Sequence, residues 1–218
     1  MTSHNTATRF GLVRHAMTVW NREKRIQGQT DTALAEEGVQ QARTWGPLLE
    51  KFRWNRILCS DLGRAKMTAD LINACLTLPL NFDHRLREQD WGRWVGKTVK
   101  QLRREEPQLL ERLEAAGWKF HPPGGEERNA MWERTSEALV RTGKDYPGEN
   151  ILVVCHGGVI KTLIYRLSER RFLPTEPPLI RPYHLHWLLY DTDGLRIEEI
   201  NALDLNAGNK GQGSKFKV

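Results

Sequence analysis

Arg14 and His15 stand side by side at the end of a short apolar run, Phe10-Gly11-Leu12-Val13. Arg64 follows a second such run, Ile57-Leu58-Cys59, across a polar turn, and His156 closes a third, Ile151-Leu152-Val153-Val154-Cys155. Between them, Leu86-Arg87-Glu88 sets a carboxylate in a stretch rich in Arg and Trp. These residue types suit a phosphate ester. A phosphate monoester carries about −1.5 to −2 charge near neutral pH. Guanidinium groups answer it with permanent charge in a planar fork that takes two oxygens at once. An imidazole with its proton on one nitrogen is nucleophilic at the other. A carboxyl group can give a proton to a leaving alkoxide and later take one from water. Alone, an Arg-His pair after a strand is more often a hydrogen-bonded structural histidine. Two His, two Arg and one Glu, mostly at the ends of apolar runs, form a constellation for phosphate.

Side chains delivered in this way call for buried parallel strands, which read as continuous apolar runs and present ligands at their carboxyl ends. Leu34, Val39, Ala42, Trp45, Leu49 and Phe52 have helical spacing, although Pro47 is expected to kink or break that helix. Leu62, Ala65, Ala69, Ile72 and Leu76 mark a cleaner helix, with Arg64 in its first turn and Ser60 or Asp61 as its N-cap. Leu80-Asn81-Phe82 is a short strand leading to Glu88. From about 90 to 125 the pattern changes to Trp, Arg and Lys, with two helices split at Pro107. This reads as a helical insertion over the active-site end, not as an independent domain. Helices follow at Met131, Thr135, Ala138, Leu139 and Thr142, and at Val159, Ile160, Leu163, Ile164 and Leu167. A terminal hairpin spans 183–190 and 195–200. Strands alternating with helices predict an α/β fold, a three-layer α/β/α sandwich with a largely parallel central sheet. One domain is expected over 1–204. Residues 1–8 should fray, and 205–218, with three lysines and no acid, should be a disordered Gly/Lys-rich tail.

The motifs, taken in order, are Leu12-Val13-Arg14-His15, Trp20-Asn21, Arg25-Ile26-Gln27-Gly28 with Asp31, Ser60-Asp61-Leu62-Gly63-Arg64-Ala65, Leu86-Arg87-Glu88, Gly125-Glu126 and His156-Gly157-Gly158. In this order they resemble the histidine phosphatase superfamily, the phosphoglycerate mutase-like group, over almost the whole chain. The resemblance implies that His15 is the nucleophile and forms a phosphohistidine. Arg14, Arg64 and a protonated His156 would hold the phosphate. Asn21, Gln27 and the Gly28 N–H are candidates for its remaining oxygens, and 25–28 could fold over the site. Glu88 is the candidate acid and base, with Asp61 a weaker alternative. Three departures stand out. Ala16 and Met17 replace the usual Gly and Glu, and Ala35 stands where a capping Thr or Ser is usual, a loss of about 1 kcal/mol. Mutases of this group usually carry a longer segment between the positions of Glu88 and His156 than the 67 residues found here. The implied activity is therefore a metal-independent phosphomonoesterase acting on a small phosphorylated metabolite. A phosphoglycerate mutase and a non-catalytic phosphosugar-binding regulator are the alternatives.

Composition bounds the rest. At 218 residues, 39% hydrophobic and 28% charged, the chain is an ordinary globular protein. No run approaches the roughly 20 apolar residues of a membrane span, and no leader pattern opens it, so the cytoplasm is expected. Half of the net charge of +6 lies in the tail, and no groove-reading motif is visible, so neither nucleic acid nor membrane is an expected partner. A monomer or homodimer is expected, with no cofactor. Cys59, Cys75 and Cys155 read as buried thiols. Gly92-Arg93-Trp94-Val95-Gly96-Lys97-Thr98 is one residue short of a nucleotide-binding P-loop, and Lys97-Thr98 instead reads as a helix start. Cys155 lacks the Arg six positions on that cysteine phosphatases share, since Lys161 stands there. His184 and His186 share a strand face but lack a third metal ligand, so they read as ordinary, partly exposed histidines. Trp91, Trp94 and Trp118 are candidates to wall the pocket.

Overall fold

The computed structural model describes residues 7–207. Its apolar runs become the parallel strands β1 (Thr8–Arg14), β2 (Arg56–Cys59), β3 (Leu80–Phe82) and β4 (Asn150–Cys155). An antiparallel hairpin, β5 (His184–Asp191) and β6 (Gly194–Asp204), completes a six-stranded sheet in the order β3-β2-β4-β1-β5-β6. β1 and β4 are neighbours in the middle, with Arg14 opposite Cys155. Arg14-His15 and His156 therefore leave the sheet together. β2 lies on the other side of β4 with Cys59 opposite Val154, which brings Ser60 alongside.

Helices cover both faces, which is why the central strands carry apolar side chains in both directions. After a four-residue helix α1 (Val19–Arg22), α2 (Glu36–Leu49) and α3 (Gly63–Leu76) pack on one face, burying Ala42, Trp45, Leu49, Ala69 and Ile72 against Val13, Ile57 and Val154. Two short helices, α4 (Val99–Glu105) and α5 (Pro107–Ala115), follow in the insertion. α6 (Arg128–Asp145) and α7 (Gly157–Leu167) cover the opposite face, where Met131, Leu139, Val159 and Leu163 meet Phe10, Leu12 and Val153. The insertion has its own small core of Trp94, Leu102, Leu110 and Phe120, against which Ile26 and Trp91 pack. Thr98 caps α4 with Gln101, as the helix start at Lys97-Thr98 predicts. Among the described residues no helix is long and apolar enough to cross a membrane.

Several expectations change. Pro47 does not break α2, which runs to Leu49. The proline forfeits one bond, its own to Arg43 O, and the helix runs only two residues beyond it. An interior proline costs about 3 kcal/mol, and burying Trp45 and Leu49 at 1.5–3 kcal/mol per large side chain offsets roughly that much. Gly46 beside it allows α2 to approach α3, since a Cβ there would lie 2.7 Å from Cys75 Cβ. Cys75 itself is exposed, not buried. Thr8 is buried, and its hydroxyl donates to Tyr146 O at 2.9 Å, so ordered chain begins inside the segment expected to fray. At the other end Leu205 is buried and its N–H donates to Tyr183 O. Order thus runs past residue 204, and 208–218 of the expected tail lie outside the described residues.

Candidate active site

The sequence around His15 fixes its proton. Nδ1 lies 2.8 Å from the Ala16 carbonyl, which can only accept, so Nδ1 carries the hydrogen and Nε2 the lone pair. Arg64 Nε–H donates to that Nε2 at 3.3 Å. Burial first, then the Arg14 and Arg64 charges, hold His15 well below the usual histidine pKa. The ring is neutral at physiological pH, the form a nucleophile needs. Ala16 is fully buried and not among the residues with positive φ, so its methyl replaces the usual Gly without backbone strain.

A cavity of about 170 Å³ opens at this nitrogen. Arg14, His15, Asn21, Gln27, Gly28, Arg64 and Glu88, seven of the eight candidate residues, line it. His156 stands behind His15, with ring centroids 5.2 Å apart. Arg64 is buried and gives one Nη1 and one Nη2 hydrogen to Thr30 O and Gly28 O, at 2.8 and 2.7 Å, pinning the 28–30 loop and keeping one hydrogen on each Nη for a ligand. Gln27 Oε1 accepts from Thr18 and Thr32, and Asn21 Oδ1 accepts from Thr18 N–H. Each amide thus keeps its NH₂ for the cavity it lines. Arg14 Nε is buried without a partner among the described residues.

The paired glycines after His156 have separate uses. A Cβ on Gly158 would fall 2.1 Å from Glu88 Oε1, and one on Gly157 would touch Arg14 Cδ at 3.4 Å. Without a side chain at 158, Glu88 Oε2 accepts the Gly158 N–H at the start of α7 (3.0 Å), while Oε1 accepts Gln89 N–H (2.8 Å). The Glu88 backbone is fixed in turn by Arg134, which donates to the carbonyls of Arg85, Arg87 and Glu88 and pairs with Glu126.

The expected cap on α3 is corrected. Asp31 caps it from another segment, accepting Gly63 N–H at 2.8 Å and Arg64 N–H at 3.4 Å. Ser60 instead meets His156 Nε2 at 2.8 Å. Its oxygen also accepts Leu62 N–H at 3.4 Å, and His156 Nδ1 is a buried atom without a partner among the described residues. Burial first, then the charges of Arg64, His15 and Arg14, hold His156 well below the usual histidine pKa, so in the free protein it is a neutral ring and not the cation expected for phosphate. Asp61 is taken by Arg87 in a bidentate pair that holds its carboxyl below the usual range, and it does not line the cavity. Of the three tryptophans only Trp91 walls the cavity. Trp94 is buried inside the insertion, and Trp118 stacks under Arg166 at 3.8 Å. His186 is buried, not partly exposed. Among the described residues no group of three or more His, Cys, Asp or Glu is placed to hold a metal ion.

Residues 10–203 match the model of the histidine phosphatase superfamily (branch 1). The chain belongs to this superfamily. Relatives in it carry both kinds of name. The uncharacterized phosphatase PhoE of Bacillus subtilis (strain 168) is 32% identical over 72% of this chain and 76% of its own. A Salmonella choleraesuis (strain SC-B67) protein described as probable phosphoglycerate mutase GpmB is 36% identical over 70% and 71%. Among solved structures, Bacillus stearothermophilus YhfR superposes with a TM-score of 0.82 at 30% identity, covering 91% of this chain and 98% of that one. Trp91 and Arg25 line the cavity, as expected of a pocket wall and of the 25–28 segment, whereas the contacts that Ser60, Asp31 and Arg134 make here are not ones the sequence points to. Asp31 lies beside the 25–28 motif, Ser60 stands where a cap for α3 is expected, and nothing in the sequence around Arg134 marks it.

Proposed function

We propose that this chain is a metal-independent phosphomonoesterase that works through a phosphohistidine on His15. The observation that carries the reading is the Nδ1–H bond to Ala16 O, which leaves the lone pair on Nε2, held by Arg64 Nε–H at 3.3 Å until a substrate displaces it, in a cavity that His15 lines with Arg14, Arg64 and Glu88. In the first step Nε2 attacks phosphorus, the P–O ester bond breaks, and the alkoxide takes the proton of a protonated Glu88. In the second, Glu88 carboxylate takes a proton from water as the oxygen attacks phosphorus. The P–N bond breaks, and phosphate and neutral His15 are released. The guanidinium groups hold the equatorial oxygens throughout.

The mutase reading shares the first step and draws on the likeness to GpmB. It requires water to be kept from the phosphohistidine. Of the ten residues lining the cavity only Trp91 comes from the segment 90–125, which supports hydrolysis. The test is rapid quench in base with a labelled phosphomonoester, in the presence of a chelator. Label should appear on His15, His15→Ala should lose both label and turnover, and phosphate release should outrun 2-/3-phosphoglycerate interconversion with bisphosphoglycerate primer. Label on another side chain, dependence on one divalent ion, or interconversion faster than release by orders of magnitude would each overturn the corresponding part.

A further inference from the structure

Glu88 stands on chain that belongs to no helix or strand, since 88–91 join no regular element. No hydrogen-bonded ladder places it, so its position depends on groups that reach it from other segments. Gln29 Nε2 donates to the Glu88 carbonyl at 3.3 Å. The larger hold comes from Arg134 of α6. Its Nη1 donates to Arg85 O and Arg87 O at 2.6 and 2.7 Å, and its Nη2 to Glu88 O at 3.2 Å. Nε and Nη2 donate to the two carboxylate oxygens of Glu126 at 2.6 and 2.8 Å. Every N–H of the guanidinium is thus used, and none is left for a ligand.

Glu126 holds the same stretch from its far end. Its carbonyl accepts from Gln89 Nε2 at 2.7 Å, its N–H donates to Asp90 O at 2.9 Å, and its Oε2 accepts Asp90 N–H at 3.4 Å. Gly125 lets the two segments meet, because a Cβ there would lie 2.4 Å from Asp90 O. Neither the Gly125-Glu126 motif nor Arg134 lines the cavity. What they hold is 85–90, the stretch from which Glu88 reaches it.

We infer that Arg134 and Glu126 are positioning residues for proton transfer at Glu88. They fix the main chain on both sides of it, so that the carboxyl group meets the leaving oxygen in one place. The inference rests on the phosphomonoesterase reading, in which Glu88 is the acid. Proton transfer is sensitive to such placement. The acid must come within hydrogen-bond reach of its oxygen, and a misplacement of about 1 Å can cost about 10²-fold. An arginine suits the task, since its planar fork serves a carboxylate and three carbonyls at once, whereas a lysine ammonium donates from one point.

Kinetics on the whole chain test this with n-propyl phosphate, whose leaving group needs a proton, and 4-nitrophenyl phosphate, whose leaving group scarcely does. The readout is the ratio of their kcat/KM values, which does not change with the fraction of the sample that is folded. Arg134→Lys keeps the charge that adds to burial and to Arg64 in lowering the His156 pKa, but loses the fork. It should lower the ratio of propyl to nitrophenyl at least about tenfold. Glu126→Gln, which keeps the shape of its side chain, should lower it in the same direction. In a Glu88→Gln background Arg134→Lys should leave the ratio unmoved, because the group it acts through is gone. An unchanged ratio in Arg134→Lys overturns the inference, as does a further fall in the Glu88→Gln background, and Glu126→Gln decides if Arg134→Lys does not fold. If Glu88→Gln itself leaves the ratio unchanged, the acid assignment fails and takes this inference with it. A ratio lowered by Glu88→Gln but not by Arg134→Lys sinks only the positioning role.

Discussion

Glu88 accepts two backbone N–H groups, and its carbonyl is gripped by Arg134, so its position does not depend on substrate. Glu88→Gln removes its proton chemistry but also one of these two acceptors, so the comparison between substrates, not the size of the loss, reads out the acid. Glu88→Gln is expected to lower kcat by about 10²–10⁴-fold for an alkyl phosphate, whose leaving group needs a proton. The loss should be much smaller for 4-nitrophenyl phosphate, whose leaving group scarcely does. Equal losses on the two substrates would mark Glu88 as structural. At this scale the sequence was informative where chemistry sits next to a strand end, as in Arg14-His15 and His156-Gly157-Gly158. It was silent where a partner arrives from elsewhere. Ser60 reaches His156 across 96 positions, and Arg87 takes Asp61 across 26, so no local spacing marks either pair.

Among the elements, α3 is the one whose end matters most, since it carries Arg64 in its first turn. Its cap comes from Asp31, whose carboxylate takes two orphan N–H groups and leaves no room for a side chain at Gly63, where a Cβ would lie 2.7 Å from Asp31 Oδ2. Asp31→Ala should cost about 1 kcal/mol, or about 2–4 °C in Tm. It should also raise KM, because the Arg64 that grips Gly28 and Thr30 loses its anchor. Calorimetry and steady-state kinetics on the variant check both, and an unchanged Tm would remove the cap from the account. Ser60 and Asp61 were the reasonable caps by proximity in sequence. The actual one comes from a loop 32 positions away, a choice made by tertiary packing. Pro47 shows the same limit from the other side, since local propensity argued for a break and burial of Trp45 and Leu49 prevailed.

For the molecule as a whole, three buried histidines make stability depend on pH. His15, His156 and His186 are all held below the ordinary value of 6.5, chiefly by burial. As pH falls through 6.5 the unfolded chain takes up protons that the folded one refuses, so stability drops, and it goes on dropping until each folded-state pKa is reached. For His186, near 4, that is a loss of about 3 kcal/mol by pH 4. Asp61 and Asp83, held below 3.8, contribute losses only as pH approaches that value. The urea midpoint in phosphate-free buffer should therefore fall between pH 7 and 5, before those carboxylates matter. A flat profile over that range would mean that the histidines are not buried neutral. The alternation of strand and helix, the hairpin and the insertion were all legible at this scale, because periodicity survives packing. Where the ordered chain begins and ends was not, since Thr8 and Leu205 are secured by contacts with segments far away in sequence.

The group that orients His15 is a main-chain oxygen, and every amino acid brings one. No codon change at position 16 can delete it. A saturation scan would record only how large a residue the buried site accepts, and would score the position as indifferent to chemistry. Exposing the dependence takes a change outside the genetic code, such as replacing the 16–17 amide by an ester. That weakens the carbonyl as an acceptor, and because it also removes the Met17 N–H that donates to Gln41 Oε1 at 3.0 Å, an ester-free control with Gln41→Leu accounts for the second loss.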